Sequence, residues 1–264
     1  MACSALSASN FPQYAGKHAL TSLLRPEAVI ARFLDDASLT RPPAIILGYA
    51  GALVGLLRER GFTRREGYPS PWRAMWLRDG DDRLGVVEGF GFGAPGAAIV
   101  LEELIAFGAT RFINLGYAGA LASEVSFGDL VLCTRALRDE GVSHHYVAPA
   151  RYAHPSPALS ASLADTLTAH GRAFVRGSNW TVDALYRETR EEAEGYRDEG
   201  VVSVDMEAAA LFAIAETYGV DVASLFAISD HLLAGDSWKM THDWSRVRQG
   251  LAHGLDAAIE TLTR

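Results

Sequence analysis

Residues 89–121 read GFGFGAPGAAIVLEELIAFGATRFINLGYAGAL, and this stretch decides the fold. Glycines and a proline lead into the run AAIVLEELIAF, a glycine-rich turn that opens a helix closed by Gly108. RFINLG then reads as a strand, and RLGVVEG just upstream reads as another. Strand, glycine turn, helix and strand in succession are the repeating unit of an α/β protein.

Working outward, the alternation continues in both directions. Upstream, PAIILG is a strand and GALVGLLRERG a helix closed by Gly61, while WRAMWL pairs with RLGVVEG as a hairpin turning at Asp79, Gly80, Asp81 and Asp82. Downstream, DLVLCTRAL is a strand, and Asp139 to Pro157 is a long polar loop carrying His144, His145, Tyr146 and His154. LSASLADTLTAHG is a helix, AFVRGSNW a strand and RETREEAEGYRDEG a charged surface helix. VVSVDM leads into the buried helix EAAALFAIAETYG, followed by the strand VDVASLFAISD and the amphipathic helix DWSRVRQGLAHGLDAAIETLTR. The expected fold class is α/β: one domain over 1–264, a mixed central β-sheet flanked by helices on both faces, with 1–42 an N-terminal extension packing on it.

Composition narrows the function. The chain has 264 residues, 49% hydrophobic and 21% charged, enough for a sizeable core. A net charge of −8 argues against nucleic acid or an anionic membrane as the main partner. Cys3 and Cys133 are the only cysteines and have no metal-like spacing, so neither a disulfide framework nor a metal site is expected. No apolar run approaches the ~20 residues of a membrane span. The start, MACSALSASNFPQYAGKH, lacks the basic and apolar parts of a signal peptide, and a cytoplasmic location is expected.

The heptapeptide LGYAGAL occurs twice, at Leu47–Leu53 after PPAII and at Leu115–Leu121 after TRFIN. Glycine-punctuated loops at strand ends gather backbone N–H groups around an anion. Neither copy contains a Lys, Arg, Ser or Thr to help hold one. The copies read as similar loop geometry rather than as duplicated domains.

Several groups could carry chemistry. VSVDMEAAALF places Asp205, Met206 and Glu207 where a strand gives way to a helix. The helix dipole alone accounts for carboxylates there; a sugar-binding carboxylate accounts for them equally, and would favour an oxocarbenium-like transition state. AISDH puts Asp230 at the end of a strand, where α/β ligand sites fall, although capping is a sufficient reason for it. As a functional group Asp230 would protonate a leaving base. Of His144 and His145, one touching a substrate hydroxyl and a purely structural loop stand level. GFGFGAPGAA is no dinucleotide fingerprint, because the next strand ends in Asn114 and Leu115 rather than an acid, so no cofactor is expected.

Together these segments resemble the nucleoside phosphorylase family, the purine nucleoside and uridine phosphorylases and related nucleosidases, from about Pro43 to the C-terminus. GFGFGAPGAAIVLEELIAFGATRFINLGYAGAL is similar to the family's glycine turn, helix and strand; FGDLVLCTRALRDEGVSHHY to its "GDLV…RDEGTSHHY" segment; VSVDMEAAALF to its ribose-binding "MEAA"; and AISDH to its "VSD" acid. The resemblance implies that Met206 and Glu207, with Asp205 beside them, hold the ribose, that Asp230 serves the base, and that Trp180 and Tyr186 line the base pocket. It also implies that the uracil-reading glutamine and arginine would fall near Thr189 and Glu191, where neither type stands. A purine or purine-like base is therefore expected.

The same resemblance makes both heptapeptides phosphate loops, with Gly48, Tyr49, Asn114, Gly116 and Tyr117 facing the acceptor. The first usually reads like "GDPxR", its arginine at Ala52; the second like "RxGTxG", its arginine at Asn114 and its hydroxyl at Tyr117. Both arginines are missing here. Charge-assisted phosphate contacts are worth roughly 1.5–3 kcal/mol each, so inorganic phosphate should be held weakly. Asn114 with Ala118 and Gly119 is closer to the "INTGSAGG" of the methylthioadenosine/S-adenosylhomocysteine nucleosidases, but their first-loop glutamate has no counterpart in Tyr49–Leu53. The tyrosines are expected to fill the vacated space.

The resulting expectation is an enzyme that cleaves the N-glycosidic bond of a nucleoside with water or an unusual acceptor, using Glu207 and Asp230. The alternatives are a phosphate-dependent phosphorylase served by Arg64 or Arg65 of a neighbouring subunit, a non-catalytic nucleoside-binding protein that has less need of Asp230, and a transferase with a second base site. A homo-oligomer, dimer or hexamer, is implied, with Gly61–Trp76 at its interface. SDHLLAGDSWKMTHDW is expected to be a flexible loop over the base site.

Overall fold

The computed structural model describes residues 11–264 apart from positions 50, 70, 71, 73 and 236. Cys3 and the first ten residues of the N-terminal extension lie outside the described residues. In chain order the elements are α1 (Pro26–Leu34), β1 (Ala44–Leu47), α2 (Val54–Glu59), β2 (Phe62–Glu66), β3 (Ala74–Arg78), β4 (Asp81–Val87) and α3 (Ala94–Ala106). There follow β5 (Arg111–Ala120), β6 (Leu130–Asp139), β7 (Tyr152–Ala153), α4 (Pro157–Ala169), β8 (Phe174–Val182) and α5 (Arg190–Asp198). The chain closes with β9 (Val201–Asp205), α6 (Ala208–Tyr218), β10 (Asp221–Ala234), β11 (Ser237–Met240) and α7 (Trp244–Thr263).

One mixed sheet joins the strands in the order β11-β10-β6-β8-β9-β5-β1-β4-β3-β2, with β7 on β6. β5 also pairs with β10, so β5, β10, β6, β8 and β9 close into a ring. β1 runs parallel to β4 on one side and β5 on the other, and all four of its residues, AIIL, are buried. An unbroken apolar run is what a strand covered on both faces requires.

Helices cover both faces. α1, α3 and α6 pack on one core, with Ile30, Leu101, Leu104 and Phe212 inside it; α2, α4 and α7 pack on the other through Leu56, Leu163, Leu251 and Leu255. Side chains of β5 alternate between them, Phe112 and Ala118 to the first and Leu115 and Tyr117 to the second. The eight residues Ala208–Ala215 of α6 are all buried, which is why its sequence shows no polar face. α1 buries Ile30 and packs on α3, tying the described part of the extension to the domain.

Four elements differ from the sequence reading. The second heptapeptide is not a loop: Leu115–Ala120 is the continuation of β5, paired with β10 and then β9. FTRRE, expected only as part of an interface segment, is the edge strand β2. The polar segment after Asp139 contains the short strand β7 and a 3-10 turn at Ser143–His145. SWKM is β11, which folds back on β10 as a hairpin where a flexible loop was expected.

Candidate active site

β1 and β4 end level with Asn114 of β5, β5 and β10 run on together beyond them, and the end of antiparallel β9 meets β5 near Gly119; the carboxyl ends of parallel strands are where α/β proteins bind ligands. At the end of β9, Asp205 Oδ2 accepts the N–H groups of Glu207 at 3.1 Å and Ala208 at 2.8 Å, capping α6. Its Oδ1 accepts Asn179 Nδ2 and Thr181 Oγ1, both at 2.7 Å, and these donors are fully buried. A carboxylate has about four acceptor positions, and here four donors take them. Asp205 is therefore the buried foundation of the site. The expectation that it also binds substrate is corrected, since its lone pairs are spent.

That cap leaves Glu207 free for another partner. Glu207 is 6% exposed, and its Oε1 accepts the N–H of Gly93 at 2.5 Å. Gly93 has φ 101°, a left-handed conformation that suits glycine, and it stands at the start of α3. The glycine turn at 89–93 thus presents an amide to the carboxylate of the VDMEAA segment. Burial pushes the Glu207 carboxyl up to about 8, with the neighbouring Asp205 charge adding to it. Asp205 is also raised by burial, while its four donors act in the opposite direction. Met206, half-buried between them, contributes its backbone N–H to Glu207.

The first heptapeptide turns away from the sheet after Leu47. Gly48 N donates to Val87 O at 2.9 Å, and Gly51 at φ 81° starts the bend into α2. Tyr49 swings into the core: it is 7% exposed, meets Phe90 edge-on at 5.2 Å, and its hydroxyl has no hydrogen-bond partner among the described residues. A Cβ on Gly116 would stand 3.2 Å from this ring, so the glycine makes room for the tyrosine. Burial pushes the Tyr49 phenol well above the usual range, and the Glu207 and Asp205 charges add to it.

Glu88, just past the end of β4, is a site residue that sequence reading missed. Its Oε1 accepts the Leu53 N–H at 3.0 Å, and the Gly51 N–H also acts on the carboxylate. A Cβ on Gly48 would lie 2.8 Å from Glu88 Cγ, so the glycine lets the two strand ends close up. The loop without a cation therefore already holds an anion, supplied by the protein. Burial raises the Glu88 carboxyl, partly offset by those amides, and its charge bears on Tyr117 of β5. The only available signal was an acid at a strand's carboxyl end beside a glycine turn.

On β10, a register slip against β5 between Ile228 and Asp230 turns Asp230 toward Gly119. Asp230 Oδ1 accepts Ser229 Oγ at 2.7 Å and Oδ2 accepts Trp238 Nε1 at 2.8 Å. Trp238 is 54% exposed on β11 and shields this acid from one side. Glu188, a second carboxylate outside the sequence expectation, is pushed up to about 7 by burial and then by the Asp230 charge.

Other expected residues are placed elsewhere. Trp180 is fully buried, donates Nε1 to Asp139 at 2.9 Å and packs on Tyr196, leaving no surface for a base; strand parity turns it away from the side that Thr181 faces. Tyr186 is 96% exposed on a short 3-10 turn. Asn114 is fully buried and donates to Ser224, with its carbonyl oxygen unpartnered among the described residues. Tyr117 does not share the space of Tyr49: it points to the opposite face and meets Trp244 of α7 edge-on. His144 and His145 pack on Phe11; His145 also bonds Lys17, while His144 Nε2 lies 3.3 Å from the Arg138 carbonyl of β6. Arg64 and Arg65 are exposed on β2 and ion-paired with Glu66 and Asp79. Arg248, paired with Glu59, lines a cavity of about 360 Å³ with Ala52, Tyr117 and Trp244. Among the described residues no three His, Cys, Asp or Glu side chains are grouped to hold a metal.

Fold and site define an α/β protein with a carboxylate-lined ligand edge, and the comparisons name its kind. A sequence model described as "Phosphorylase superfamily" matches residues 62–259. The DeoD-type purine nucleoside phosphorylase of Bacillus cereus is 30% identical over 179 residues, covering 66% of this chain and 75% of that one. Uridine phosphorylase from Vibrio fischeri superposes with a TM-score of 0.70 at 26% identity, over 84% of this chain and 92% of that one. Purine nucleoside phosphorylase from Toxoplasma gondii, in complex with immucillin-H, gives 0.72 at 20% identity, over 83% and 90%, a likeness of fold. The chain belongs to the phosphorylase superfamily, in its nucleoside phosphorylase family.

Proposed function

We propose that this protein cleaves the N-glycosidic bond of a nucleoside and passes the sugar to water rather than to inorganic phosphate. One observation carries the choice of acceptor: the amides of the first loop already hold the Glu88 carboxylate. A phosphate brought to those amides would meet a like charge, at a cost of about 4 kcal/mol for unit charges 4 Å apart near a protein surface. The arginines that would offset this are not in either heptapeptide.

On the sugar side, Glu207 has acceptor capacity beyond the Gly93 and Met206 amides, which suits two vicinal hydroxyls. An ionised carboxylate beneath the ring stabilises positive charge growing at C1′ as the bond to the base lengthens. On the other side, Asp230 relays a proton to the departing nitrogen once Trp238 yields its oxygen. A purine or purine-like base is favoured by the likeness to DeoD-type purine nucleoside phosphorylases and by Thr189, which caps α5 and is not a uracil-reading glutamine. A cytoplasmic homo-oligomer suits this reading, with Arg64 and Arg65 on the open sheet edge facing a neighbour.

Arg248 beside Ala52 supports a second reading, phosphorolysis with a displaced cation. The test is base release from purine and pyrimidine nucleosides with and without phosphate. Free sugar at a phosphate-independent rate supports hydrolysis; sugar 1-phosphate at a rate rising with phosphate supports the second reading. Nucleoside binding without release would mark a binding protein.

A further inference from the structure

Hydrolysis requires a group that removes a proton from the attacking water, and the sequence offered none in the first loop. Four candidates lie near the sheet edge or were expected there. Glu207 serves the sugar hydroxyls from the α6 side. Tyr49 is a phenol made still less acidic by burial and therefore remains protonated. The third is the pair His144 and His145, which pack on Phe11 and bond the Arg138 carbonyl and Lys17 respectively. Glu88 is the fourth.

We propose that Glu88 is the catalytic base that activates water in this site. The assignment rests on the hydrolytic reading above. Along the sheet edge the strands run β4, β1, β5 and then β10, so Glu88 and Asp230 stand at opposite ends of the row. Three strand spacings across the sheet and an offset of four residues along it, Glu88 level with Leu115 and Asp230 with Gly119, put their backbones roughly 20 Å apart, and the two side chains shorten the gap between the carboxylates. Glu207 follows β9, which adjoins β5 between them. The three carboxylates are thus arrayed as nucleophile side, sugar and leaving group.

The local packing fixes Glu88 in that place. Leu53 N–H holds Oε1 at 3.0 Å, and Gly48 allows Cγ to approach the strand end where any Cβ would intrude. Two residues on, Phe90 packs edge-on against Tyr49, which fixes the turn that follows Glu88. In the step, Glu88 takes one proton as the water oxygen bonds to C1′. The C1′–N bond breaks, and its electron pair leaves with the base, which gains a proton through Asp230. The product is the free sugar, and Glu88 returns its proton to solvent.

The test compares wild type, E88Q, E88D and E88A on one purine nucleoside without phosphate. E88Q should release base ~10²–10⁴ times more slowly, with nucleoside affinity within about threefold by equilibrium dialysis. E88D, which keeps a carboxylate, should exceed E88Q by at least about tenfold, and thermal melting confirms that each variant folds. Azide or formate should accelerate E88A at least about tenfold and leave wild type unchanged, azide giving the glycosyl azide. A hydrolytic wild type with E88Q at about its rate overturns the assignment of Glu88. A wild type that needs phosphate and yields sugar 1-phosphate overturns instead the reading on which it rests.

Discussion

The two copies of LGYAGAL are identical in sequence and opposite in structure. After Leu47 the first copy loses its neighbours on both sides: the last paired residues are Val87 of β4 and Asn114 of β5, and the chain turns at Gly51. The second copy keeps a parallel neighbour, β10, along its length and gains β9 at Gly119 and Ala120, so it stays extended. Seven residues of small side chains do not choose between turn and strand; the availability of hydrogen-bonding partners does. The difference extends to chemistry, because the turning copy wraps the carboxylate of Glu88 and the extended copy backs that of Asp230.

The largest expected effect lies between the two copies, at the carboxylate they flank. E207Q should slow base release by ~10²–10³-fold, as removal of one transition-state electrostatic group does elsewhere. Because burial raises Glu207 to about 8, kcat/KM of the wild type should rise with pH through that value. Stability runs the other way. A carboxyl raised in the folded state stabilises below its unfolded pKa, and that contribution is lost as pH rises through the folded value. E207Q should therefore gain stability relative to wild type between about 4.5 and about 8 and hold the gain above it, as denaturant melts at several pH values would record.

Next comes the acid backed by the extended copy. D230N should lose ~10²-fold in base release while nucleoside affinity stays within a few-fold, measured by single turnover and dialysis. Equal loss in both would mean that Asp230 only shapes the pocket.

The smallest effects are on stability, and they contrast the copies directly. In Gly119→Ala a Cβ would stand 2.6 Å from Leu232 Cδ1, 3.0 Å from Asp230 Oδ2 and 3.1 Å from Val204 Cγ1, a crowding expected to cost ~2 kcal/mol. In Gly51→Ala the Cβ meets nothing within 4 Å, and the cost is only the left-handed backbone, ~1 kcal/mol. Urea unfolding of both variants gives the order. The reverse order would mean that the turn, not the ring of strands, is the tightly specified region.

Much of this was legible in the sequence. The alternation of elements located β1, α3, β6, β8, β9 and β10, and the apolar length of EAAALFAIA marked α6 as buried. Glu207 and Asp230 were singled out as following recognisable strands; Glu207 does follow β9, whereas Asp230 lies inside β10, which runs on to Ala234. What escaped depends on through-space pairing. Glu88 approaches the first loop from another strand, and no spacing along the chain connects it with Leu53, 35 residues away. Trp180 was misplaced by parity, since one step along β8 separates it from Thr181, which does hold the site. FTRRE, with four exposed residues, lacks the apolar alternation of a strand because β2 is an edge.

The central claim is that the first loop's anion is the protein's own and the sugar's acceptor is water. The most direct measurement is the product formed from a purine nucleoside in ¹⁸O-labelled water, with and without inorganic phosphate. Free sugar carrying the label at C1 at a rate indifferent to phosphate is the predicted result. Sugar 1-phosphate formed in proportion to added phosphate would contradict it.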